Sequence, residues 1–505
     1  MRRRTTQFHK RLGFETLETR EMLSGVTAVL THGVLAVTGV SNSSSEIHVW
    51  RQVNRVLVDG VAGSFTAFQV RSITVACGQN GNQTVDLGIG WTSAQTALLL
   101  PVTVNSGSGN DTVLLGSMSV YFAGTGHQLA VSVLGVARLD GAAPTWFDTH
   151  LRDAAIRSLA KADFRGQALG RTAMLGIFNE VERQGVVTAV ELGDLQAIAR
   201  NSSLFSGVAY VQNLSAKVAL GNPANGHYQG QTLGNLAAGN SAFHLEDLVD
   251  KWFLGLDRPN TAIDGVTYAY AKASASLFPS APVYTDVRQG NVGDCYLLAG
   301  LAEVAIKNPI AIRNMFIVNG DGTYTVRFYN GQQADYVTVD SYLPVDANGQ
   351  YVFANYKQSL ANTSIALWVP LAEKAYAQIN EEGWLRTDGE NSYASLDLGW
   401  PNDVFTQVTA KPAARTLSLA STLNFYQFVA AYQTGSMLCV VSNETPTDPR
   451  IADNHVYAVV SYNVATRTVL VFNPWGVNNV RKAPWLVSLS WADLAANCRA
   501  WSRSP

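Results

Sequence analysis

The spacing of hydrophobic positions divides the chain into parts. Residues 26–140 carry short runs rich in Val and Thr between glycine turns, which predicts β-strands. In residues 146–222 apolar positions recur at helical spacing, which predicts helices. Residues 223–243 are rich in Gly and Asn and predict a linker, whereas residues 244–505 mix both patterns. We expect an all-β module, a helical segment and an α+β domain, in that order.

The β-rich part contains a weak internal repeat. Ile73–Gly78 and Gly81–Gly88 are followed, about 29 residues later, by the similar segments Val102–Gly107 and Gly109–Gly116. Self-similarity of this kind predicts either stacked β-coils or a small sandwich. A module of this type would serve binding or spacing outside the cell.

The helical part contains a segment similar to an EF-hand calcium loop. Glu180, Glu182 and Glu191 fall at ligand positions, and Gly185 falls at the sharp turn. Glu180 stands where the shorter Asp is usual, so we expect a degenerate EF-hand-like pair. The alternative is a plain helical hairpin with a glycine turn, and calcium binding stays open between the two.

A cysteine lies where a glycine-containing loop meets a predicted helix. Gln289–Asp294 leads into Cys295, and the apolar, alanine-rich stretch Tyr296–Ile306 follows. Asp294 is the expected N-cap, with its carboxylate accepting a first-turn amide. Thiols at helix N-termini have a lowered pKa, and the thiolate is the nucleophile. The alternative is that Cys295 is an ordinary buried core residue.

One histidine can serve that cysteine as a base within the same region. His455 is the only histidine after Cys295, because the other seven lie before residue 250. It precedes a predicted strand, Val456–Tyr462, and the next predicted strand, Thr468–Phe472, ends beside Asn473. If the two strands are antiparallel neighbours, Asn473 lies near His455 and its amide oxygen can orient the imidazole.

Four segments resemble motifs of calpain-type, papain-like cysteine proteases, and they occur in the family's order. They are Gln289–Ala299, Leu371–Ala377, Asn454–Tyr457 and Phe472–Gly476. The resemblance implies a papain-like core over residues 244–505, with a helical subdomain and an antiparallel β subdomain. It also implies an endopeptidase that hydrolyses protein or peptide substrates through a thioester intermediate.

The resemblance assigns roles to five residues. Cys295 would be the nucleophile, His455 the base and Asn473 the residue that orients it. Gln289, together with the backbone N–H of Cys295, would form the oxyanion hole. Trp475 would cover the bond between Asn473 and His455 from water.

Two departures from the family pattern concern calcium and the substrate cleft. Asp286 matches a calcium-ligating Asp of the family, but the position of its partner Glu is Ala366 here. We therefore expect no required cofactor and leave calcium dependence open. The family's Thr-Gly-Gly, a wall of the cleft, would correspond to Thr406–Val408, which lacks both glycines.

Charge and the N-terminus limit the partners and location. The net charge of −2 offers no general field for nucleic acid, and no apolar run reaches the ~18 residues of a membrane span. Residues 1–25 begin with a basic stretch, and Leu17–Ser24 resembles a segment at the start of some large exported bacterial proteins. We expect an exported or cell-surface bacterial protein. A disordered basic tail is the alternative, and an intracellular location stays open.

Two further functions remain as alternatives. One is a surface or adhesion protein that keeps the protease fold without activity. The other is an acyltransferase with the same Cys-His-Asn groups, in which an amine rather than water accepts the acyl group.

Overall fold

The structure is a computed structural model that falls into two compact units, Met1–Asp140 and Gly141–Pro505. The predictions for residues 1–25, including the segment Leu17–Ser24, lie outside the described residues. The residues described are 26–31, 34–39, 45–52, 55–58, 61, 64–66, 69–77, 83–86, 102–105, 111–115, 118–122, 128–131, 145–164, 168–386, 388–419 and 421–505.

The first unit is built from β-strands in two sheets, as its alternating pattern predicted. One sheet has the strand order β1-β2-β6-β8-β11 and the other the order β10-β9-β7-β3-β4-β5. The strands are β1 Thr27–Thr31, β2 Val34–Thr38, β3 Ser45–Gln52, β4 Arg55–Val58, β5 Phe65–Thr66, β6 Ser72–Ala76, β7 Gln83–Asp86, β8 Val102–Asn105, β9 Asp111–Leu115, β10 Met118–Phe122 and β11 Gln128–Val131.

The internal repeat corresponds to successive layers of this unit. Strands β2, β6 and β8 pair in parallel in one sheet, and β3, β7 and β9 pair in parallel in the other. The pairing joins Ile73 to Val102 and Val85 to Val113, which are equivalent positions of the repeat. Side chains alternate along each strand, so Ile73 and Val102 are buried in the shared core. Of the two architectures predicted from the repeat, the described strands form the stacked coils.

The second unit begins with helices that pack against one another. Helix α3 packs on α6, and α4 packs on α5. The elements are α1 Trp146–His150, α2 Ala154–Phe164, α3 Arg171–Glu182, α4 Ala189–Arg200, α5 Ala209–Ala219, β12 His227–Tyr228, β13 Gln231–Thr232 and α6 Ala242–Val249, which a π-helical turn extends to Leu254.

The segment expected to be EF-hand-like forms two helix–loop–helix units joined at their loops. Gly185, between α3 and α4, has a φ of +82°, which favours glycine. The Val187 amide donates to the Asn240 carbonyl, and the Gly239 amide donates to the Val187 carbonyl, both at 2.8 Å. A short backbone bridge therefore ties the α3–α4 loop to the segment before α6. The EF-hand assignment itself stays a prediction.

Residues 223–243, expected to form a linker, are folded and packed in the structure. Asn225 is fully buried, donates through Nδ2 to the Lys217 carbonyl and accepts through Oδ1 from the Trp252 indole. Asparagine side chains here satisfy buried polar groups instead of facing solvent. Composition alone did not distinguish a flexible segment from an ordered loop.

The remaining elements form a mixed α and β structure, in agreement with the expected α+β class. The helices and the antiparallel sheet of this region meet along the helix Cys295–Lys307. The elements are β14 Ala269–Lys272, α7 Cys295–Lys307, α8 Pro309–Met315, β15 Phe316–Val318, β16 Thr323–Asn330, β17 Gln333–Asp340, β18 Tyr342–Val345, α9 Trp368–Ile379, α10 Pro401–Thr409, β19 Ala414–Leu417, α11 Thr422–Gln433, β20 Leu438–Ser442, β21 Val456–Asn463, β22 Thr468–Phe472, β23 Leu486–Ser490, α12 Trp491–Asn497 and β24 Cys498–Arg503.

Helix α7 lies at the centre of this part. It packs across β21, a strand of the antiparallel sheet ordered β19-β24-β20-β21-β22-β23, and also contacts α9 and α10. Leu297, Leu298 and Leu301 are fully buried, so the apolar run predicted as a helix is a core helix. The helix ends at Asn308 because the residue before Pro309 disfavours helical backbone.

The helical segment and the α+β part are held together by buried charges. The Lys217 ammonium on α5 pairs with Asp335 on β17 at 2.7 Å and also with Glu382. Its side chain is almost wholly buried, as is that of Glu382. Removing Lys217 or one of its acidic partners would leave an uncompensated buried charge. The stability of the helical segment is therefore coupled to that of the α+β part.

The helices and the cysteines bear on membrane spans and on disulfide bonds. No single helix in the described ranges is long and apolar enough to span a membrane; α7 and α8 reach that measure only when taken together across a bend of 119°. Cys77, Cys295, Cys439 and Cys498 are all buried and free of disulfides.

Candidate active site

Cys295 is the first residue of α7, and the loop before it is held by backbone contacts. The Gln289 amide donates to the Pro474 carbonyl at 2.8 Å, which ties the loop to the segment after β22. A Cβ at Gly290 would collide with the Val352 carbonyl, so this close approach requires glycine. The glycine-containing loop expected from the sequence therefore sets where the cysteine lies.

Asp294 precedes the helix as expected, but its side chain does not cap it. The carboxyl group makes no capping hydrogen bond and is fully buried against the carboxyl group of Glu373 on α9. Glu373 in turn accepts the Ala354 amide at 2.9 Å. Burial raises the pKa of Asp294 to about 7 and that of Glu373 well above its usual range. The charge of Asp294 raises the pKa of Glu373 further, whereas the hydrogen bond from Glu373 lowers that of Asp294. Two carboxyl groups this close share a proton.

The Cys295 thiol faces the cleft from a nearly buried position. Only 9% of the residue is exposed, and the Val456 amide, next to His455, donates a hydrogen bond to the sulfur. Burial is the main cause that raises the pKa of the thiol to about 12, and the nearby Asp294 and Asp397 add to this rise. The lowered pKa expected at a helix N-terminus is therefore wrong for this closed state, because desolvation outweighs the helix dipole.

His455 and Asn473 are neighbours, as the strand pattern predicted. β21 and β22 pair antiparallel, and His455 Nε2 lies 2.9 Å from Asn473 Oδ1. The Trp475 amide donates to the same Oδ1 at 3.0 Å, which identifies that atom as the oxygen. Because Oδ1 can only accept, Nε2 carries the proton and the Nδ1 lone pair is left for the thiol. Burial lowers the pKa of His455 to about 4, so the resting imidazole is neutral.

Trp475 lies over the imidazole, as the resemblance implied. Its ring centroid is 4.7 Å from that of His455, and the Arg481 guanidinium lies 4.8 Å from the indole centroid. Arg481 also donates to the Gly290 carbonyl at 3.0 Å. Arg481 thus connects the indole, which lies against the imidazole, to the loop that carries the cysteine.

Gln289 lies in the same cleft. Its Nε2 donates to the Val292 carbonyl at 2.9 Å, and its side chain also interacts with the Asp294 carboxyl group and lowers the pKa of that group. Oε1 has no hydrogen-bond partner among the described residues although Gln289 is 4% exposed.

A cavity of about 580 Å³ joins these groups. Its lining includes Gln289, Gly293, Cys295, His455, Trp475, Arg481, Asp264, Asp397 and Leu398. Asn473 lies behind His455, fully buried.

The wall of the cleft differs from the one expected from sequence. Thr406–Val408 lies on α10, with Val408 packed in the interior, and it does not line the cavity. Asp397 and Leu398 line it instead, and the Leu398 amide donates to the Gly293 carbonyl at 3.2 Å.

Asp264 and Asp397 were not among the candidate residues. For Asp264 a signal existed: Asp264-Gly265 is a favoured pair for a tight turn, and both residues have positive φ, 49° and 77°, with a bridge between Ile263 and Val266. Nothing local marks Asp397, because its approach to Gly293 joins distant parts of the chain.

The residues around Asp286 do not fit a calcium site. Its carboxylate accepts the Trp368 indole at 2.8 Å and the Val283 amide at 3.0 Å. Ala366 supplies no carboxylate, and calcium takes six or more oxygen ligands. The Asp286 carboxylate is therefore occupied by two donors from the protein itself.

The three glutamates of the EF-hand-like segment are engaged in other contacts. Glu180 pairs with Arg183, and Glu191 caps α4 by accepting the Thr188 amide at 2.8 Å. Glu182 lies on the last turn of α3. In the described part of the chain, no group of three or more His, Cys, Asp or Glu side chains could hold a metal ion.

Comparison with known proteins gives a family match for the part that carries this site. Residues 258–501 match the model of the calpain family cysteine proteases. This stretch contains all the cleft residues named above and leaves out the stacked β-coils and helices α1 to α6.

Individual relatives match over the same part. The chain is 27% identical to the calpain-type cysteine protease DEK1 of Arabidopsis thaliana over 235 residues, which is 43% of this chain and 10% of that protein. It is 27% identical to the calpain-2 catalytic subunit of Gallus gallus over 238 residues, 43% of this chain and 30% of that protein. The chain thus spans less than a third of the length of these curated relatives.

Proposed function

We propose that residues 258–501, which form a calpain-family cysteine protease domain, are an endopeptidase unit that uses Cys295, His455 and Asn473. The observation that carries the proposal is the hydrogen bond from His455 Nε2 to Asn473 Oδ1 at 2.9 Å. It directs Nδ1 to the cavity that the Cys295 thiol lines. A thiol, a base and a group that orients the base are what nucleophilic acyl transfer requires.

The proposed reaction has two halves. His455 Nδ1 takes the thiol proton while the sulfur of Cys295 attacks the peptide carbonyl. The imidazolium then donates that proton to the leaving amine, the C–N bond breaks and a thioester remains. Water, deprotonated by His455, attacks the thioester, and the proton returns to the sulfur as the acid product leaves.

The oxyanion of each tetrahedral intermediate needs two donors. The Cys295 backbone N–H at the start of α7 is one of them. Gln289 Nε2 is the other, since Gln289 lines the same cavity as Cys295. Donors fixed before the reaction stabilise the charge that develops in the transition state.

The proposed resting form is a neutral thiol beside a neutral imidazole. Burial raises the pKa of Cys295 to about 12 and lowers that of His455 to about 4, so an ion pair is disfavoured in the closed cleft. We expect the proton to move during attack on a bound substrate. Calcium has no step in the proposed reaction, because the contacts of Asp286 do not fit the ion.

The test uses the full chain with denatured casein and with a peptidyl epoxide. We expect the unmodified protein to cleave casein and the epoxide to label Cys295, identified by mass spectrometry. Cys295→Ala should lose hydrolysis at least a thousandfold with little change in stability. Cys498→Ala removes another thiol that is buried in the sheet core, and it should keep both activity and labelling.

Full activity in Cys295→Ala would overturn the assignment. A folded protein that neither cleaves nor reacts with the epoxide would favour an inactive protease fold at a surface. Efficient capture of the acyl group by added amines, in place of hydrolysis, would favour an acyltransferase.

We also propose that the chain is an exported bacterial protein. The support is the likeness of Leu17–Ser24 to the start of some large exported proteins, together with the stacked β-coils of the first unit. Fractionation of expressing cells should place the full chain outside the cytoplasm, whereas removal of residues 1–25 should retain it inside. Equal location of both forms would contradict the proposal.

A further inference from the structure

One buried acid of the core helix has no part in the proposed reaction. Glu303 is the only charged residue in the stretch 295–306 of α7. Its side chain is fully buried, and burial raises the pKa of its carboxyl group to about 8. An apolar side chain at this place would avoid the cost of desolvating a carboxyl group. The contacts of this carboxyl group therefore show what it does for the fold.

The Glu303 carboxyl group joins α7 to two strands of the antiparallel sheet. Its Oε1 accepts the amide of Leu438, the first residue of β20, at 3.0 Å. The amide of Val459 on β21 also donates to the carboxyl group, and both hydrogen bonds lower its pKa. One side chain of the helix thus binds main-chain donors of both strands.

These two amides lie at the end of the ladder between β20 and β21. The pairing of the two strands ends with Cys439 opposite Ala458, and Leu438 and Val459 follow directly. On its other side, β21 changes register with β22 between Val459 and Ser461, which is a β-bulge. Buried main-chain amides need acceptors, and the carboxyl group supplies one where the strand pairing stops.

The reacting groups lie at the other end of the same two elements. The Val456 amide, at the start of β21 and next to His455, donates to the Cys295 sulfur. From Cys295 to Glu303, α7 advances about 12 Å at ~1.5 Å per residue. From Val456 to Val459, β21 advances about 10 Å at ~3.3 Å per residue. The similar lengths mean that hydrogen bonds join the helix to the strand at both ends of one shared segment.

The bond at the far end restricts a movement that apolar packing leaves open. The apolar side chains of α7 pack across β21, but hydrophobic attraction has no direction. If the helix slid along the strand by about 1 Å, the sulfur would move by the same amount relative to the imidazole. A displacement of this size can cost about a hundredfold in rate.

We propose that Glu303 is a positioning residue of the active site, because its carboxyl group fixes α7 along β21 and so sets the approach of the Cys295 sulfur to His455. The inference rests on the proposed endopeptidase function and adds a residue that touches neither the substrate nor the reacting atoms. The Cys439 thiol gives weaker support to the same contact, since its Sγ donates to the Ala299 carbonyl at 3.6 Å. Loss of the Glu303 acceptors should slow attack and leave substrate binding unchanged.

The test compares side chains of similar length at position 303 in the full chain. Glu303→Met removes both oxygen acceptors, whereas Glu303→Gln keeps one. With a fluorogenic peptide that the unmodified protein cleaves, we expect kcat to fall about tenfold to a hundredfold in Glu303→Met and about twofold to fivefold in Glu303→Gln. KM should change by less than about twofold in both variants.

Labelling by the peptidyl epoxide measures the attack of the sulfur without the later steps. Its limiting rate should fall in the same order as kcat. Thr338→Val is the matched control, because it removes a buried hydroxyl that hydrogen-bonds Thr325 Oγ1 at 3.0 Å in a different sheet, ordered β15-β16-β17. This control should lower the stability of the fold and leave kcat and the labelling rate as they are in the unmodified protein.

The possible failures are distinct. Unchanged kcat in Glu303→Met, a loss confined to KM, or an equal loss of kcat in Thr338→Val would each overturn the inference and leave the endopeptidase intact. If Glu303→Met does not fold, Glu303→Gln decides, and a labelling rate equal to that of the unmodified protein would overturn the inference. Absence of hydrolysis and of labelling in the unmodified protein would instead overturn the proposed function.

Discussion

Two pairs of carboxyl groups lie on opposite sides of the nucleophile, and their environments differ. Behind Cys295, Asp294 and Glu373 are fully buried, and their pKa values are raised so far that they share a proton. In front of it, Asp264 and Asp397 are exposed and line the cleft. Burial makes the rear pair part of the packed interior, whereas the front pair is open to solvent at the cleft.

The largest expected difference follows from adding a positive charge to each pair. Glu373→Lys should lower the free energy of unfolding by about 3–5 kcal/mol, because a fully buried ammonium must be desolvated and cannot accept the Ala354 amide as Glu373 does. Asp397→Lys should change it by less than about 0.5 kcal/mol, since the residue is exposed. Urea denaturation followed by fluorescence measures both. Equal losses in the two variants would contradict the comparison.

The rear pair should contribute to the pH dependence of stability, together with other buried acids whose pKa values are raised, such as Glu303 and Asp250. The pKa of Asp294 is about 7 in the folded chain and near 3.8 when unfolded, so its stabilising contribution is complete below about pH 4 and is lost as pH rises through 7. Across this window the slope is up to about 1.4 kcal/mol per pH unit.

Replacing one carboxylate of each pair by the isosteric amide distinguishes their contributions to the pH dependence of the free energy of unfolding. The free energy of unfolding of Asp294→Asn should vary less between pH 4 and 7 than that of the unmodified protein. Asp397→Asn should keep the unmodified slope. A slope that is the same in all three proteins would show that the rear pair does not carry the pH dependence.

The smallest expected effect is that of calcium removal. A chelator should change kcat/KM by less than about twofold, because the Asp286 carboxylate is occupied by Trp368 and Val283 and Ala366 offers no ligand. The rate of casein cleavage with chelator and with excess calcium tests this. A tenfold loss that calcium restores would contradict it.

Local pattern was sufficient where a structure repeats or a residue type is rare. The repeat around Ile73 and Val102 predicted layers, and the parallel register joins those two residues. His455 was the sole histidine available to Cys295, and two short strands brought Asn473 to it. These inferences needed only the period of the repeat, the order of the strands and the number of histidines.

Predictions from the local sequence failed where a side chain could interact either with a nearby backbone group or with a residue far along the chain. Asp294 was expected to cap α7, yet its carboxyl group packs against Glu373, a residue far along the chain. The segment around Asn225 has the composition of a linker, but Trp252 supplies a donor that orders it. Local preference was overridden in both cases by a partner from elsewhere in the chain.

The sequence by itself determined the types of chemical group, their order and the elements that carry them, because periodicity and caps act within a few residues. Tertiary structure alone decided which carboxylates lie in the cleft and which share a proton. Asp264, Asp294, Glu373 and Asp397 are the same kind of acid in the sequence. The raised pKa values of Asp294 and Glu373 depend on desolvation and on neighbours that only packing brings together.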